Sequence, residues 1–341
     1  MSNDGNPGTG REIRLVEKPS KAPTAANFAL VEAPVPTPAA GQVLVRNTWM
    51  SVDPYMRERM NPEVTYLPQF RVGEALDGPA IGEVIASEAP EVPVGATVRH
   101  WLGWREFAVV DAAGVEQVDT SIAAAQDYLG PLGTTGLTAY VAFTEIAPVR
   151  PGDVVFVSAA AGAVGSIAGQ LARKFGAAKV IGSAGGPVKA RKLREAFGFD
   201  AAIDYRAAPV AEQLDAVAPD GIDVYLDNVG GEHLEAAIDA MRVGGRIALV
   251  GAISGYNAGA PAAGPRNYFQ LAGKDITMRG LLSGRYFDRF GEYIGKAADW
   301  LADGSLHAES TVERGIERAP EALMGVLNGA NTGKMLVRLG D

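Results

Sequence analysis

Two rhythms of apolar positions run along the chain. From residue 11 to about residue 130 the apolar stretches are short, rich in β-branched and aromatic residues, and closed by proline or glycine. Stretches 12–15, 28–32, 42–51, 80–86 and 104–110 read as strands, separated by Pro34, Pro36, Pro38, Gly41, Gly78 and Gly95. Many short strands joined by such turns predict a partly open β-barrel. From Val154 onward each short apolar run is followed by a segment with apolar residues at helical spacing. Strands are predicted at 154–157, 179–183, 201–204, 221–227, 245–250 and 276–282, and helices at 164–175, 188–197, 210–217, 231–241 and 289–303. That alternation predicts a doubly wound parallel sheet, so the fold class is α/β with a β-barrel domain beside it. From about residue 305 one more helix and a strand at 334–339 follow, and this tail is expected to return to the barrel. The expected domains are a disordered tail at 1–10, a barrel at 11–130 plus 305–341, and a nucleotide-type domain at 131–304.

The sharpest stretch is DVVFVSAAAGAVGSIAGQLARKFGA at 153–177. An apolar strand breaks into small residues and then into a helix carrying Ile167, Ala168, Leu171, Ala172 and Phe175 on one face. Strand, glycine turn and helix form the first half of a dinucleotide-binding unit. Gly162 lets the backbone approach a pyrophosphate, Gly165 lets the helix pack on the strand, and the helix N-terminus supplies N–H donors. Ala160 stands where the usual motif has its first glycine.

Composition narrows the chemistry. With 47% hydrophobic and 21% charged residues the chain is an ordinary globular sequence, and no apolar run approaches the roughly 20 residues of a membrane helix. The polar start lacks a secretory pattern, so a cytoplasmic location is expected, with no membrane partner. A net charge of −9 argues against a nucleic-acid partner. The absence of cysteine excludes disulfides, a thiol nucleophile and a cysteine-containing zinc site. His100, His233 and His307 show no ligand spacing and read as packing or surface residues, so no metal is expected.

Three further places carry candidate chemistry. An NAD-specific fold ends its second strand in an acid that accepts from the ribose 2′-hydroxyl. Here that strand ends in Gly182 and Ser183 with no acid, while Lys189, Arg191 and Lys192 follow on the next helix; the pattern favours NADP. In VDPYMRERM, Asp53 is expected to cap a short helix begun by Pro54, which presents Tyr55, Met56 and Arg57. The fourth and fifth strands of the sheet end in DNVGG and VGAISGY, at the crevice where a nicotinamide would lie, and Tyr256 there reads equally as a proton donor or as packing.

Taken together, these motifs give the chain a clear resemblance. VDPYMRERM, with Glu58 for a usual glycine, the AAAGAVGS turn, DNVGG, GAISGYN, GPRNY at 264–268 and GANTGK at 329–334 occur in the order seen in zinc-independent medium-chain dehydrogenase/reductases. More closely the chain resembles the leukotriene dehydrogenase/prostaglandin reductase branch, which includes curcumin-reductase-like and double-bond reductases. The resemblance implies a GroES-like barrel plus a Rossmann domain, a homodimer, and NADP(H) used to reduce the carbon–carbon double bond of small hydrophobic enones or enals. It implies cofactor contacts at Ala161, Gly162, Ala163, Val164 and Gly165 for the pyrophosphate. Ser183, Gly186, Lys189 and Tyr205 are implied at the adenosine 2′-phosphate. Asn228, Gly251, Ala252, Ile253, Ser254, Tyr256, Leu281, Leu282, Ser283 and Asn331 are implied around the rest of the cofactor. Tyr256 and Tyr55 are the expected donors to the oxygen of the developing enolate. A phenol with an ordinary pKa of ~10 keeps its proton at neutral pH. The expected substrate pocket comprises Tyr55, Met56, Arg57, Tyr66, Phe70, Tyr268, Tyr286 and Phe287. A quinone reductase with the same cofactor is the alternative reading, and a non-catalytic NADPH-binding protein a second one.

Overall fold

A computed structural model describes residues 8–61, 67–258 and 263–340; the expectations at 1–7 and at Tyr66 lie outside these described residues. The chain divides into two compact units, one formed by Gly130–Ser310 with Asn331–Lys334, the other by Met1–Leu129, Thr311–Ala330 and Met335–Asp341.

In the first of these units, α1 (Thr134–Val141) is followed by β1 (Val154–Val157), α2 (Ala163–Lys174), β2 (Lys179–Ala184), α3 (Pro187–Glu195), β3 (Ala201–Asp204), α4 (Val210–Val217), β4 (Ile222–Asp227), α5 (Gly231–Ala240), β5 (Met241–Leu249), α6 (Gln270–Gly273), β6 (Thr277–Gly280) and α7 (Phe290–Ala302). The strands pair in parallel in the order β3-β2-β1-β4-β5-β6. This is the Rossmann arrangement, and the order reverses between β1 and β4, where a crevice opens beyond the strand C-termini. The central strand β1, VVFV, is apolar throughout and buried from Val155 to Val157, as a parallel strand covered on both faces requires. Phe156 of β1 stacks on Tyr225 of β4 with centroids 5.0 Å apart, among Ile181, Ile203, Ile222 and Ile247. α3 starts at Pro187, a residue favoured in a first helical turn, directly after Gly186 at φ +91°. Most boundaries fall within two residues of expectation, and the largest difference lies between α5 and β5. α5 stops at Ala240 and β5 begins at Met241 rather than 245, and the β4–β5 register shifts between Ile222 and Val224.

The second unit is a GroES-like, partly open barrel. Gln42–Ser51 is its central strand, pairing antiparallel with Ala80–Ser87, Phe107–Asp111 and Lys334–Arg338. Thr9–Leu15 and Phe28–Pro34 form a separate two-stranded sheet, so Thr9 and Gly10 belong to a strand and not to a disordered tail. The tail helix Ala319–Leu327 buries Ala322, Leu323 and Val326 in the core with Met50, Met56 and Trp104. The strand expected at 104–110 begins at Phe107, because Trp104 takes φ +61° and breaks the extended run. Asp53 does not cap the helix that follows; its carboxylate accepts from Ser51 Oγ, and the segment forms two short 3-10 turns, Pro54–Met56 and Glu58–Met60. His100 is a core residue. Its Nδ1 accepts from Leu102 N–H at 3.0 Å and its Nε2 meets Asn47 Oδ1 at 2.8 Å, which fixes a neutral ring with the proton on Nε2. Burial, with the nearby Arg105 charge, lowers its pKa to about 3. Among the described residues no helix is long and apolar enough to cross a membrane.

Candidate functional site

The turn after β1 is built from small residues because space demands it. A Cβ on Gly165 would lie 2.7 Å from Ala160 Cα and run into Ala159 O, so only glycine lets α2 come this close to the strand. The first N–H groups of α2 have no intrahelical acceptor. Gly162 precedes them with only Ala159 O, at 3.1 Å, near its missing side chain. The segment Asn331–Lys334 returns to this turn. Gly333 N–H donates to Ala161 O at 2.8 Å, and Lys334 N–H donates to Glu309 O at 2.9 Å. Gly333 sits at φ +63°, with Glu309 O where a side chain would be. Asn331 closes its own loop, its Nδ2 donating to Gly333 O at 2.7 Å.

β2 itself ends without an acid, with Asp204 of the neighbouring β3 beside it, and cations gather at this end. Lys189 Nζ donates to Asn331 O at 2.5 Å. Its pKa is lowered by desolvation first and then by the like charges of Arg206 and Lys192. Lys192 is paired with Glu309 Oε1 at 2.5 Å and Arg191 is exposed, so Lys189 and Arg206 carry the positive charge that faces the turn. A Cβ on Gly185 would lie 2.6 Å from Tyr205 Oη and 2.9 Å from Arg206 Nε, which puts both side chains over this glycine. Gly186 N–H donates to Asp204 Oδ1 at 2.7 Å. Ser183 Oγ is fully buried and finds no partner among the described residues. His233, with its pKa lowered to about 4 by desolvation, lies edge-on to Tyr205 at 5.4 Å between centroids.

Beyond the switch point the loops are tied together. Asn228 N–H donates to Ser158 Oγ at 2.9 Å and Asn228 Nδ2 to Ser158 O at 2.7 Å. Ser254 Oγ donates to Val229 O at 2.6 Å, and Ile253 N–H to Asn228 O at 3.3 Å. Tyr256 folds back over its own loop, its hydroxyl oxygen accepting from Ala252 N–H at 3.3 Å and standing 3.3 Å from the Cβ position of Gly251. Leu281 N–H donates to Leu249 O at 2.9 Å, which brings 281–283 beside the β5 end.

The expected pocket residues fare differently. Tyr55, half-buried, packs on the barrel core near Gly78. Met56 is a core residue, with a Cβ on Gly78 running into its Cε. Arg57 is a correction: its guanidinium is buried and donates to Lys21 O, Pro19 O and Asn61 Oδ1, so it holds loop backbone and presents no charge to a ligand. Phe70 is likewise buried, under the Arg59 guanidinium at 4.0 Å. In the Rossmann unit Tyr268 and Phe287 are exposed, and Tyr286 Oη accepts from Arg279 at 3.0 Å. Sequence reasoning missed Arg206, Gly185, Ser158 and Asp227. Arg206 was signalled by its place after the strand-end Tyr205, whereas the hydrogen bonds of Ser158 and Asp227 exist only once β1 and β4 pair.

These residues fit an NADP(H)-type dinucleotide. The turn offers helix N–H groups to a pyrophosphate, the β2 end offers Lys189 and Arg206 to a further phosphate, and the buried Ser183 Oγ has an unused hydrogen bond. No group of three or more His, Cys, Asp or Glu side chains that could hold a metal ion occurs among the described residues.

Comparison with known proteins covers nearly the whole chain. Residues 11–118 match the family model described as the N-terminal domain of oxidoreductase, and residues 163–302 match that described as zinc-binding dehydrogenase. YfmJ of Bacillus subtilis, named as an NADP-dependent oxidoreductase, is 41% identical over 97% of this chain and 98% of its own length. The NADPH-dependent curcumin reductase of Escherichia coli is 34% identical, with 95% of each chain covered. The structure of CurA from Vibrio vulnificus in complex with NADPH superposes with a TM-score of 0.92 at 39% identity, covering 97% of this chain and 99% of that one. The chain therefore belongs to the medium-chain dehydrogenase/reductase family, in the zinc-independent branch of the prostaglandin and curcumin reductases.

Proposed function

We propose that the protein is an NADPH-dependent reductase of the carbon–carbon double bond in α,β-unsaturated ketones and aldehydes. The observation that carries the reading is one crevice with two distinct ends. A cationic β2 end suits the 2′-phosphate, and a phenol at the β5 end suits a developing oxyanion. Relatives named as curcumin, 2-alkenal and prostaglandin reductases support it.

The bound cofactor supplies the hydride that reaches the β-carbon of the enone. The protein orients the reaction and receives the charge. Negative charge grows on the carbonyl oxygen as the enolate forms, and preorganised donors stabilise it. Tyr256 is the donor on the Rossmann side. Its oxygen accepts from Ala252 N–H, which holds the phenol on its own loop, and a protonated phenol can donate to a developing oxyanion. The α-carbon then takes a proton from Tyr256 or from water. Lys189, Arg206 and Tyr205 would hold the 2′-phosphate, and the first turn of α2 would hold the pyrophosphate.

A homodimer and a cytoplasmic location belong to the same proposal. In support of the dimer, β6 is one of the two edge strands of the sheet, and Tyr268 and Phe269 nearby are 64% and 77% exposed. Light scattering giving a single chain mass would contradict it, and cell fractionation tests the location. The catalytic reading is tested by following the product. A saturated ketone formed from an enone with NADPH supports it, whereas an allylic alcohol would mean hydride delivery to the carbonyl carbon and would overturn it.

A further inference from the structure

Asp227, at the C-terminal end of β4, is buried, and one of its two carboxyl oxygens does nearly all its bonding. Oδ1 accepts from Tyr225 Oη at 2.7 Å, Gly230 N–H at 2.8 Å, Val229 N–H at 2.9 Å and Ser158 Oγ at 3.2 Å. Oδ2 is buried and has no partner among the described residues. The backbone carbonyl of the same residue accepts from Val250 N–H at 2.8 Å and Gly251 N–H at 3.0 Å. Two loops hang from this residue. One is 228–230, held from Oδ1 directly and through Ser158, which receives Asn228 N–H. The other is 250–256, held from the Asp227 carbonyl and through Val229 O, which receives Ser254 Oγ and N–H. The latter loop carries Tyr256 on Ala252 N–H. From below, the Tyr225 ring stacked on Phe156 anchors the arrangement to the sheet core.

We propose that Asp227 is the positioning residue of the nicotinamide half of the crevice: through Oδ1 it sets the 228–230 loop and, through that loop, the placement of Tyr256. Its side chain is buried, so it acts through the loops it holds. Buried network members that share one acceptor are coupled, so loss of that acceptor releases several donors together. Desolvation raises the Asp227 pKa, while the bonds from Gly230, Tyr225, Val229 and Ser158 oppose the shift, as expected for a carboxyl held inside the fold. The adenosine half, built on β2 and β3, shares none of these bonds.

The inference rests on the NADPH reading, and the test separates the two. NADPH and 2′,5′-ADP are titrated by calorimetry into wild type, Asp227→Ala, Asp227→Asn and Ser158→Ala; turnover and melting temperature are measured on the same samples. In Asp227→Ala, NADPH affinity is expected to fall about tenfold or more and kcat to fall with it, while 2′,5′-ADP affinity stays within about twofold. Asn keeps a carbonyl oxygen for the same donors and is expected to recover most of the loss. Ser158→Ala, which removes the hydroxyl that links Asn228 N–H to Asp227 Oδ1 and Leu226 O but leaves the other three donors on Oδ1, shows the same selectivity on a smaller scale and decides the matter if Asp227→Ala does not fold. Equal weakening of both ligands, or unchanged NADPH binding and kcat in a folded variant, would overturn the positioning role. Failure of wild type to bind NADPH or 2′,5′-ADP would instead overturn the cofactor reading.

Discussion

Lys189→Ala asks whether the cationic β2 end reads a phosphate or merely braces a loop. The ammonium is half-buried, bonded to Asn331 O at 2.5 Å, and crowded by the like charge of Arg206. Two cations held together are costly until an anion arrives, so the site gains from a 2′-phosphate what it loses without one. A hydrogen bond between ionised partners contributes roughly 1.5–3 kcal/mol. Lys189 is partly exposed, so solvent screening places it in the lower half of that range, about 2 kcal/mol. That corresponds to roughly a 25- to 30-fold rise in the NADPH dissociation constant. NADH lacks the 2′-phosphate, and its affinity should change less than about threefold. Fluorescence titration of both dinucleotides gives the ratio directly. Raising ionic strength should shrink the wild-type preference for NADPH more than that of the variant, which keeps Arg206. Equal weakening of NADPH and NADH would refute the reasoning, because it would mean that Lys189 acts only through Asn331 and the 331–334 loop.

Three further outcomes follow from the geometry. His100 and His233 are held neutral in the fold, with pKa values lowered to about 3 and about 4. Their contribution to stability is therefore complete above the unfolded value of ~6.5 and is lost as pH falls below it, at about 1.4 kcal/mol per pH unit for each ring. Urea unfolding between pH 7 and pH 5 should show that slope reduced by about half in His233→Leu; an unchanged slope would exclude His233 as a source. Gly333→Ala forces a side chain into Glu309 O at a positive φ, and should lower the melting temperature and weaken NADPH binding together, since the loop is bonded to Ala161. Tyr256→Phe removes the hydroxyl, with its bond from Ala252 N–H, but leaves the ring, and should cut kcat by roughly 10²-fold without abolishing turnover. Full activity with an unchanged pH profile would remove Tyr256 from the mechanism.

The elements were legible where local signals agreed. Val154–Val157, Ala201–Asp204 and Val210–Val217 fall where their apolar period places them, because each buries one continuous face in the sheet core. The misplacements have tertiary causes. Met241–Gly245 reads as a helix end and a turn, yet it becomes strand because β4 offers a parallel edge with a shifted register. Trp104 looks like the first residue of a strand, but packing holds it at φ +61° against Phe28. At the site, the glycine turn and Lys189 were readable from spacing. Arg57 was not, since a cation beside Tyr55 looks like a pocket residue until the carbonyls of Pro19 and Lys21 are seen to claim it. Asp227 was equally hidden, for a strand-end acid announces a ligand contact more readily than four inward hydrogen bonds.

The most direct test of the central claim is the oxidation of NADPH, with NADH in parallel, in the presence of a simple aryl enone, with the product identified by mass and NMR. The account predicts turnover with NADPH at least about tenfold ahead of NADH and a saturated ketone as product. Turnover with a quinone but none with any enone, or tight NADPH binding without turnover of either, would contradict it.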